Sequence, residues 1–246
     1  MVYGLHGAVG EAGDLRALSR AILSNSPSGA QGMMSRVDLW RYLQCCPMSL
    51  TEFAAAFNRE VKAQAKHTAP DILGYSMGGR LALHALLADP SLWRSAVIVS
   101  AHTGLGEEQR GARLAHDASW AAKALKGEWQ QFLDEWNAQG VLGNEVMPNR
   151  NKLATRREAV ARSFMDWSLG TQLNLLDELP RITCPVLWVV GERDEKFKAI
   201  AELAVQALPN ARLEVVKNAG HRVPWEAPAA FHSLVREWIA ERVSAG

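Results

Sequence analysis

The sequence has little cysteine, no excess of charge of either sign and no long apolar run, and each lack excludes a class of protein. Three cysteines, of which Cys45 and Cys46 are neighbours, make neither a disulfide framework nor a spaced metal site, and their odd number is typical of a reducing compartment. A formal net charge of +1 gives no reason to expect nucleic acid or a membrane as partner. No window approaches the roughly 20 apolar residues of a membrane helix, and the opening "MVYGLHGAVG" is unlike a signal peptide. We expect a cytoplasmic protein.

Short apolar segments alternate with helical ones along most of the 246 residues. The apolar segments show little polar alternation, which indicates parallel strands buried on both faces. They read "MVYGLH", "SRVDLW", "DILGYS", "SAVIVSA", "PVLWVV" and "RLEVVKNA". We therefore predict an α/β fold with a mostly parallel, doubly wound sheet.

Residues 104–175 break this alternation, because they carry charges and helical periodicity but no convincing strand. The segment holds four tryptophans, Trp120, Trp129, Trp136 and Trp167, most of which we expect to pack against the rest of the protein. We predict a helical cap at 104–175, inserted between strands of a core formed by 1–103 and 176–246. Such insertions often cover a ligand crevice at the carboxyl ends of the strands.

The segment "GYSMG" fits the pattern G-x-S-x-G, in which a serine occupies a sharp turn between a strand and a helix. Backbone crowding at such a turn requires small residues, here Gly74 and Gly78, two positions either side of the serine. The turn exposes the hydroxyl of Ser76 and leaves the N–H of Met77 free to bind an oxyanion. We predict that Ser76 is a catalytic residue.

A catalytic serine needs a base, and the base needs an acid that orients it. In the order that this turn demands, Asp194 follows the strand "PVLWVVGE" and His221 follows "RLEVVKNA". Glu192 and Glu195 are rival acids. A role as N-cap of the next helix would also explain Asp194 without any catalytic function. We predict a triad of Ser76, His221 and Asp194.

The glycine-rich turn in "LHGAVG", residues 5–10, supplies the candidate for a second oxyanion donor. We assign the N–H of Ala8, with Val9 behind it. Together with Asp38 this turn loosely imitates a dinucleotide site, but its spacing does not match G-x-G-x-x-G and that interpretation leaves Ser76 unexplained. The other histidines are interpreted as surface or packed residues: His67, His84, His102, His116 and His232.

The motifs "LHG", "GYSMGG", "GERD" and "AGH", in this order, resemble the α/β-hydrolase superfamily over nearly the whole chain. Three longer stretches, "GYSMGGRLAL", "GLGEEQRGARLAHDASWA" and "GERDEKF", are similar to the menaquinone-pathway enzyme 2-succinyl-6-hydroxy-2,4-cyclohexadiene-1-carboxylate synthase. The resemblance implies an enzyme that eliminates pyruvate from a cyclohexene with several carboxylates, without metal or organic cofactor. Ser76 would then remove a ring proton rather than attack a carbonyl.

The same resemblance implies residues that bind this small-molecule carboxylate substrate. Arg80 and Arg113 would bind carboxylates, with Arg110 as the alternative register and a third arginine in 149–157. A salt bridge under the turn would equally explain Arg80, and a solvated helix face would explain Arg113. The remaining substrate-binding candidates are His6, Gly7, Tyr75 and Trp136, the last of which core packing explains equally well.

Two departures from the family pattern bear on the substrate and on assembly. The family usually has one or two strands before "LHG", so a sheet edge is either exposed or covered by another segment, and we leave open a monomer or a homodimer. "DLWRYLQCC" replaces the family turn "DLPGHG"; of its residues, Trp40 and Arg41 either line the pocket or, as we expect, pack and face solvent. Besides the lyase, an ester or carbon–carbon hydrolase and a non-catalytic binding protein stay open.

Overall fold

The computed structural model describes residues 1–23, 34–65, 68–143 and 148–244, and within these ranges six strands form one sheet. The strands are Val2–Leu5 (β1), Met34–Val37 (β2), Asp71–Tyr75 (β3), Ser95–Val99 (β4), Val186–Gly191 (β5) and Ala211–Val216 (β6). They lie in the order β2-β1-β3-β4-β5-β6, and every neighbouring pair is parallel. The predicted α/β fold with a doubly wound sheet is confirmed, and the described sheet is entirely parallel.

The helices cover both faces of this sheet. They are Arg16–Leu23 (α1), Leu50–Gln64 (α2), Met77–Ala88 (α3), Glu107–Lys126 (α4), Trp129–Asn137 (α5), Arg157–Asp166 (α6), Glu195–Ala207 (α7), Val223–Glu226 (α8) and Pro228–Ser244 (α9). Phe53 of α2 and Leu81 of α3 belong to the core on one face, and Leu18 of α1 and Phe231 of α9 to the core on the other. Among the described helices, none is both long and apolar enough to cross a bilayer.

The described part of residues 104–175, which we call the helical insertion, contains helices and turns but no strand. It lies between β4 and β5 in the chain, and α4 packs against α6. Trp167 anchors the insertion to the sheet domain: its side chain is fully buried and lies edge-on to Phe53 of α2 at 5.3 Å between ring centroids. The boundaries of a separate cap domain stay a prediction.

The edges of the described sheet are β2 and β6, each paired on one side alone. Beyond β2, Trp40 packs in the interior and donates its indole N–H to the Gly10 carbonyl at 2.8 Å, while Arg41 pairs with Glu60 at the surface. Neither residue lines the cavities that open on Ser76.

Candidate active site

Ser76 occupies the sharp turn between β3 and α3. Its backbone lies in the left-handed region, with φ of 53° and ψ of −113°, a strained conformation that is common at functional sites. The N–H of Ser76 donates to the Val99 carbonyl of the neighbouring strand at 2.8 Å. A Cβ at Gly74 would approach the Gly78 carbonyl oxygen to 2.3 Å, and one at Gly78 would approach the Leu5 carbonyl oxygen to 2.3 Å. The two glycines therefore permit the turn.

Replacing Gly78 by alanine should destabilise the protein markedly, because the added methyl group meets backbone that has no room to move. We expect the free energy of unfolding, measured in urea, to fall by about 3 kcal/mol or more. Gly111→Ala is the matched control, since nothing lies within 4 Å of a Cβ built there in α4. Alanine should stabilise that helix by up to about 1 kcal/mol. Equal stability of the two variants would contradict this account.

Ser76, His221 and Asp194 form a continuous line of hydrogen bonds. His221 Nδ1 lies 2.8 Å from Asp194 Oδ2, and His221 Nε2 lies 3.1 Å from Ser76 Oγ. Asp194 and His221 are buried and follow β5 and β6. The Asp194 side chain does not cap α7, and the Glu192 carboxylate instead accepts from the Asn218 N–H. This arrangement lets His221 take the hydroxyl proton of Ser76 while Asp194 holds the imidazole in place.

Two backbone N–H groups beside Ser76 have no acceptor in the described part of the chain, those of Met77 and Ala8. Met77 is the first residue of α3, where N–H groups lack partners within the helix. Ala8 lies in the turn closed by the hydrogen bond from Gly10 N–H to the Gly7 carbonyl at 3.1 Å, and Val9 has a φ of 50° there. The geometry leaves both donors available to a bound oxyanion.

A cavity of about 190 Å³, which we call the main cavity, opens on Ser76. Its walls come from the segments that follow β1, β3, β4, β5 and β6, and from the helical insertion. Its charged and polar lining comprises Ser76, Arg80, Ser100, His102, Arg113, His116, Asp117, Gln139, Lys196 and His221. Three of these side chains are permanent cations and one is a carboxylate, so the main cavity suits an anion.

Arg80 is a buried guanidinium with neutral partners. Its side chain donates to Gln172 Oε1 at 3.0 Å and to the Trp167 carbonyl at 2.6 Å, and no carboxylate in the described chain pairs with it. Burial, together with the nearby charge of Arg113, lowers the pKa of Arg80 to about 10, so it is charged at neutral pH. The charge of Asp117 acts on Arg80 without bonding to it. A buried charge without a bonded counter-ion is costly, and an anionic ligand in the main cavity would offset that cost.

Arg113 is held by an acid one helical turn away. Its Nε lies 2.8 and 2.9 Å from the two oxygens of Asp117, and Asp117 also accepts from the Ser168 hydroxyl at 2.7 Å. The two terminal nitrogens of Arg113 have no partner in the described chain. Arg110 instead donates to the Gly170 carbonyl and does not line the main cavity. Of the two alternative registers, Arg113 is therefore the one at the cavity.

A second cavity of about 40 Å³ also opens on Ser76 and is lined by Gly7 and Tyr75. Tyr75 packs against Trp225 with 5.2 Å between ring centroids. Ala8, Trp136 and Leu142 line both cavities. Of the arginines in 149–157, Arg150 lines the small cavity but is paired with Asp14 at 2.7 Å. No residue of that segment lines the main cavity.

His6 lies behind the cavities rather than in their walls. Its Nδ1 donates to the Gly7 carbonyl at 2.9 Å, and its Nε2 accepts from the Leu39 N–H at 3.3 Å. Both ring nitrogens are thus occupied, which gives His6 no free group for a substrate. We infer that His6 supports the turn that carries Ala8. The substrate contact expected from the sequence is not available to it.

Sequence reasoning passed over several residues of the main cavity. His102, His116 and Lys196 line it, although the two histidines were interpreted as packed or surface residues. His102 follows β4, so the strand-end rule that selected Asp194 and His221 would have found it. Other histidines keep their interpretation: His84 and His232 line neither cavity, and His67 lies outside the described residues.

Three largely buried histidines should make stability depend on pH. Burial lowers the pKa of His6, His84 and His102 from 6.5 to about 4. The unfolded chain therefore binds protons at a higher pH than the folded chain. The free energy of unfolding should fall as pH decreases from 6.5 towards 4, by up to about 1.4 kcal/mol per pH unit for each histidine. Urea titrations would measure this slope, and His84→Leu should reduce it; a slope unchanged in that variant would contradict the assignment.

No group of three or more histidine, cysteine, aspartate or glutamate side chains in the described residues is arranged to hold a metal ion.

Comparison with known proteins identifies relatives of the chain. The model of the Alpha/beta hydrolase family matches residues 29–234. The 2-succinyl-6-hydroxy-2,4-cyclohexadiene-1-carboxylate synthase of Serratia proteamaculans (strain 568) is 33% identical over 175 residues, which are 68% of this chain and 67% of that protein. Both results rest on sequence and cover most of the chain.

Solved structures show the same fold at lower identity. The structure of MenH from S. aureus superposes with a TM-score of 0.80 at 20% identity, covering 98% of this chain and 93% of that one. An esterase from Exiguobacterium antarcticum gives a TM-score of 0.75 at 18% identity, covering 97% and 91%. The fold is thus shared by a MenH protein and an esterase and does not separate them. The sequence comparison points to the synthases. The chain belongs to the alpha/beta hydrolase family of enzymes, and within it is similar to the 2-succinyl-6-hydroxy-2,4-cyclohexadiene-1-carboxylate synthases.

Proposed function

We propose that the enzyme eliminates pyruvate from a cyclohexene that carries several carboxylates, and so forms 2-succinyl-6-hydroxy-2,4-cyclohexadiene-1-carboxylate in menaquinone biosynthesis. The observation that carries the proposal is the buried Arg80, which has no carboxylate partner in the described chain and lines the cavity that opens on Ser76. The sequence similarity to synthases of that product supports it. A substrate that carries carboxylates would pair with this buried charge, whereas a neutral ester would not.

Ser76 acts as the base in this proposal. The succinyl group of the product attaches to ring carbon 2 through its ketone carbonyl. In the precursor, a proton on the ring carbon beside that ketone is acidic. His221, 3.1 Å from the serine hydroxyl, draws off its proton as Ser76 takes the ring proton. The electron pair left on the ring carbon passes through an enolate and forms the diene, while the bond from the ring to the pyruvyl oxygen breaks. Pyruvate leaves as its enolate, which takes up a proton while His221 gives up the one that it drew from Ser76, so that both residues return to their starting states.

The enolate oxygen would be held by the N–H groups of Met77 and Ala8. Each donor of this kind typically contributes about 3–4 kcal/mol to transition-state stabilisation. Every step is a proton transfer or the breaking of a carbon–oxygen bond, so the mechanism as written uses no metal or organic cofactor.

Arg80 and the terminal nitrogens of Arg113 would bind carboxylates of the substrate. Arginine suits this role because its planar donors match the two carboxylate oxygens. Trp136, which lines both cavities, would lie against the ring. In this proposal residues 104–175 act as a cap that keeps water from the enolate.

The experiment that tests the proposal compares two activities of one preparation. We expect the purified protein to release pyruvate from the cyclohexene precursor with a kcat/KM at least about 100-fold above that for p-nitrophenyl acetate. Brisk ester cleavage without pyruvate release would overturn it. The same three residues would then act as a hydrolase, with Ser76 as covalent nucleophile.

A further inference from the structure

The segment that follows β4 brings two neutral polar side chains into the wall of the main cavity, Ser100 and His102. The Ser100 hydroxyl is fully buried and has no hydrogen-bond partner in the described residues. Its backbone has a φ of 46°, in the left-handed region. Buried polar groups without a protein partner are uncommon, so this one is a candidate for contact with a ligand.

The hydrogen bonds of His102 fix its tautomer. Its Nδ1 accepts from the Gly104 N–H at 3.0 Å, so in the neutral ring the proton must lie on Nε2. Nε2 has no protein partner in the described chain, although His102 is buried and lines the main cavity. The ring of Phe197 lies edge-on to it at 6.0 Å between centroids, and packs at 4.4 Å against His221 on the other side. His102 is thus held as a hydrogen-bond donor near the catalytic histidine.

Lys196 supplies a positive charge to the same wall. It is the second residue of α7 and lines the main cavity. No carboxylate within the described ranges pairs with it, and its ammonium lies 5.8 Å from the centre of the Phe197 ring. Burial, and after it the charges of Lys196, Arg80 and Arg113, together lower the pKa of His102 to about 4. Lys196 is therefore close enough for its charge to act on His102.

The cations of the main cavity can bind more than one carboxylate. Asp117 is bound to Arg113 and acts on Arg80 only through its charge, whereas Arg80 and the solvent-exposed Lys196 have no bonded carboxylate partner in the described chain. One ligand carboxylate would balance one of these two cations and leave the other. A ligand with two carboxylates would balance both.

We propose that Lys196 and His102 form a second carboxylate subsite, in which the Nε2–H of His102 and the ammonium of Lys196 donate to the same carboxylate. Through this subsite the enzyme selects substrates with at least two carboxylates. This subsite rests on the proposed function, in which Arg80 and Arg113 hold another carboxylate. It assigns a binding role to His102 and Lys196; neither takes part in the proton transfers.

The test measures binding rather than turnover. Quenching of the cavity tryptophans, Trp120 and Trp136, would report the affinity for succinate and adipate, and for the monomethyl ester of each, which lacks one charge. For the wild-type protein we expect a dicarboxylate to bind at least tenfold more tightly than its monoester. Lys196→Met and His102→Leu should each remove most of that preference and leave monoester binding within about threefold.

Two further variants keep the result specific. Lys198→Met removes a neighbouring lysine that does not line the main cavity, and should keep the preference. His102→Gln, whose amide can present a donor near the position of Nε2, should restore part of what leucine loses. A preference unchanged in both Lys196→Met and His102→Leu would overturn the subsite.

The outcome for the subsite is separable from that for the proposed function. If the dicarboxylate preference depends on Lys196 and His102 but no pyruvate is released from the cyclohexene precursor, the subsite stands and the lyase reaction does not. If pyruvate is released and neither substitution raises the KM for the precursor by about tenfold, the lyase stands and the subsite is wrong. In the expected case the KM rises while kcat stays within about threefold.

Discussion

Ser76→Ala should lower kcat for pyruvate release by about 1000-fold or more, with the fold intact. In the proposed mechanism the base is lost with the hydroxyl, and a positioned general base contributes roughly 10²–10⁴-fold. The free energy of unfolding should change by less than about 1 kcal/mol, because within the described residues the hydroxyl bonds to His221 alone and the strained backbone turn is kept. Rate and stability would be measured on the same preparation, by pyruvate release and by urea unfolding.

The control for this substitution is Ser91→Ala, which removes an exposed hydroxyl bonded to Asp89. It should leave both rate and stability near wild type. His221→Gln should lose activity as Ser76→Ala does, since the two residues act as one unit and their effects do not add. A folded Ser76→Ala protein that keeps its turnover would remove Ser76 from the mechanism.

Replacing Arg80 by methionine should separate carboxylated from neutral substrates. We expect kcat/KM for the cyclohexene precursor to fall by about 100-fold or more, which corresponds to the loss of a charged hydrogen bond of roughly 3 kcal/mol. For p-nitrophenyl acetate, which has no carboxylate to hold, kcat/KM should stay within about fivefold. The measurement is the ratio of the two values in wild type and variant.

Arg110→Met is the matched control for the loss of an arginine. Arg110 also donates to a backbone carbonyl, that of Gly170, but it does not line the main cavity. It should leave the ratio of the two activities unchanged. Equal losses on both substrates in Arg80→Met would show that Arg80 supports the turn structurally, through Gln172 and Trp167, rather than holding an anion.

The sheet and the turn at Ser76 could be predicted because they depend on short stretches of sequence. Each buried strand is a run of apolar residues, and Gly74 and Gly78 mark the turn because no larger residue fits against the backbone there. The sequence order and strand-end positions of Asp194 and His221 sufficed to place them beside Ser76. These signals are local or topological, so they can be recognised in the sequence before the packing of side chains is known.

The rest of the site depends on contacts that no sequence pattern states. His6 was expected at the substrate, but Leu39 and Gly7 occupy its two ring nitrogens. Arg113 could not be separated from Arg110 until their partners were known, although the acid at the fourth position after Arg113 was a signal that favoured it. His102 was passed over because nothing in the sequence gave it a partner.

Stoichiometry of the reaction tests the central claim most directly. The purified protein would be given the cyclohexene precursor, with pyruvate followed through lactate dehydrogenase and the conjugated diene followed by its ultraviolet absorbance. The account predicts one pyruvate and one diene for each molecule consumed, appearing at equal rates and abolished together by Ser76→Ala. Consumption of the precursor without pyruvate, or pyruvate release that persists in the folded Ser76→Ala protein, would contradict it.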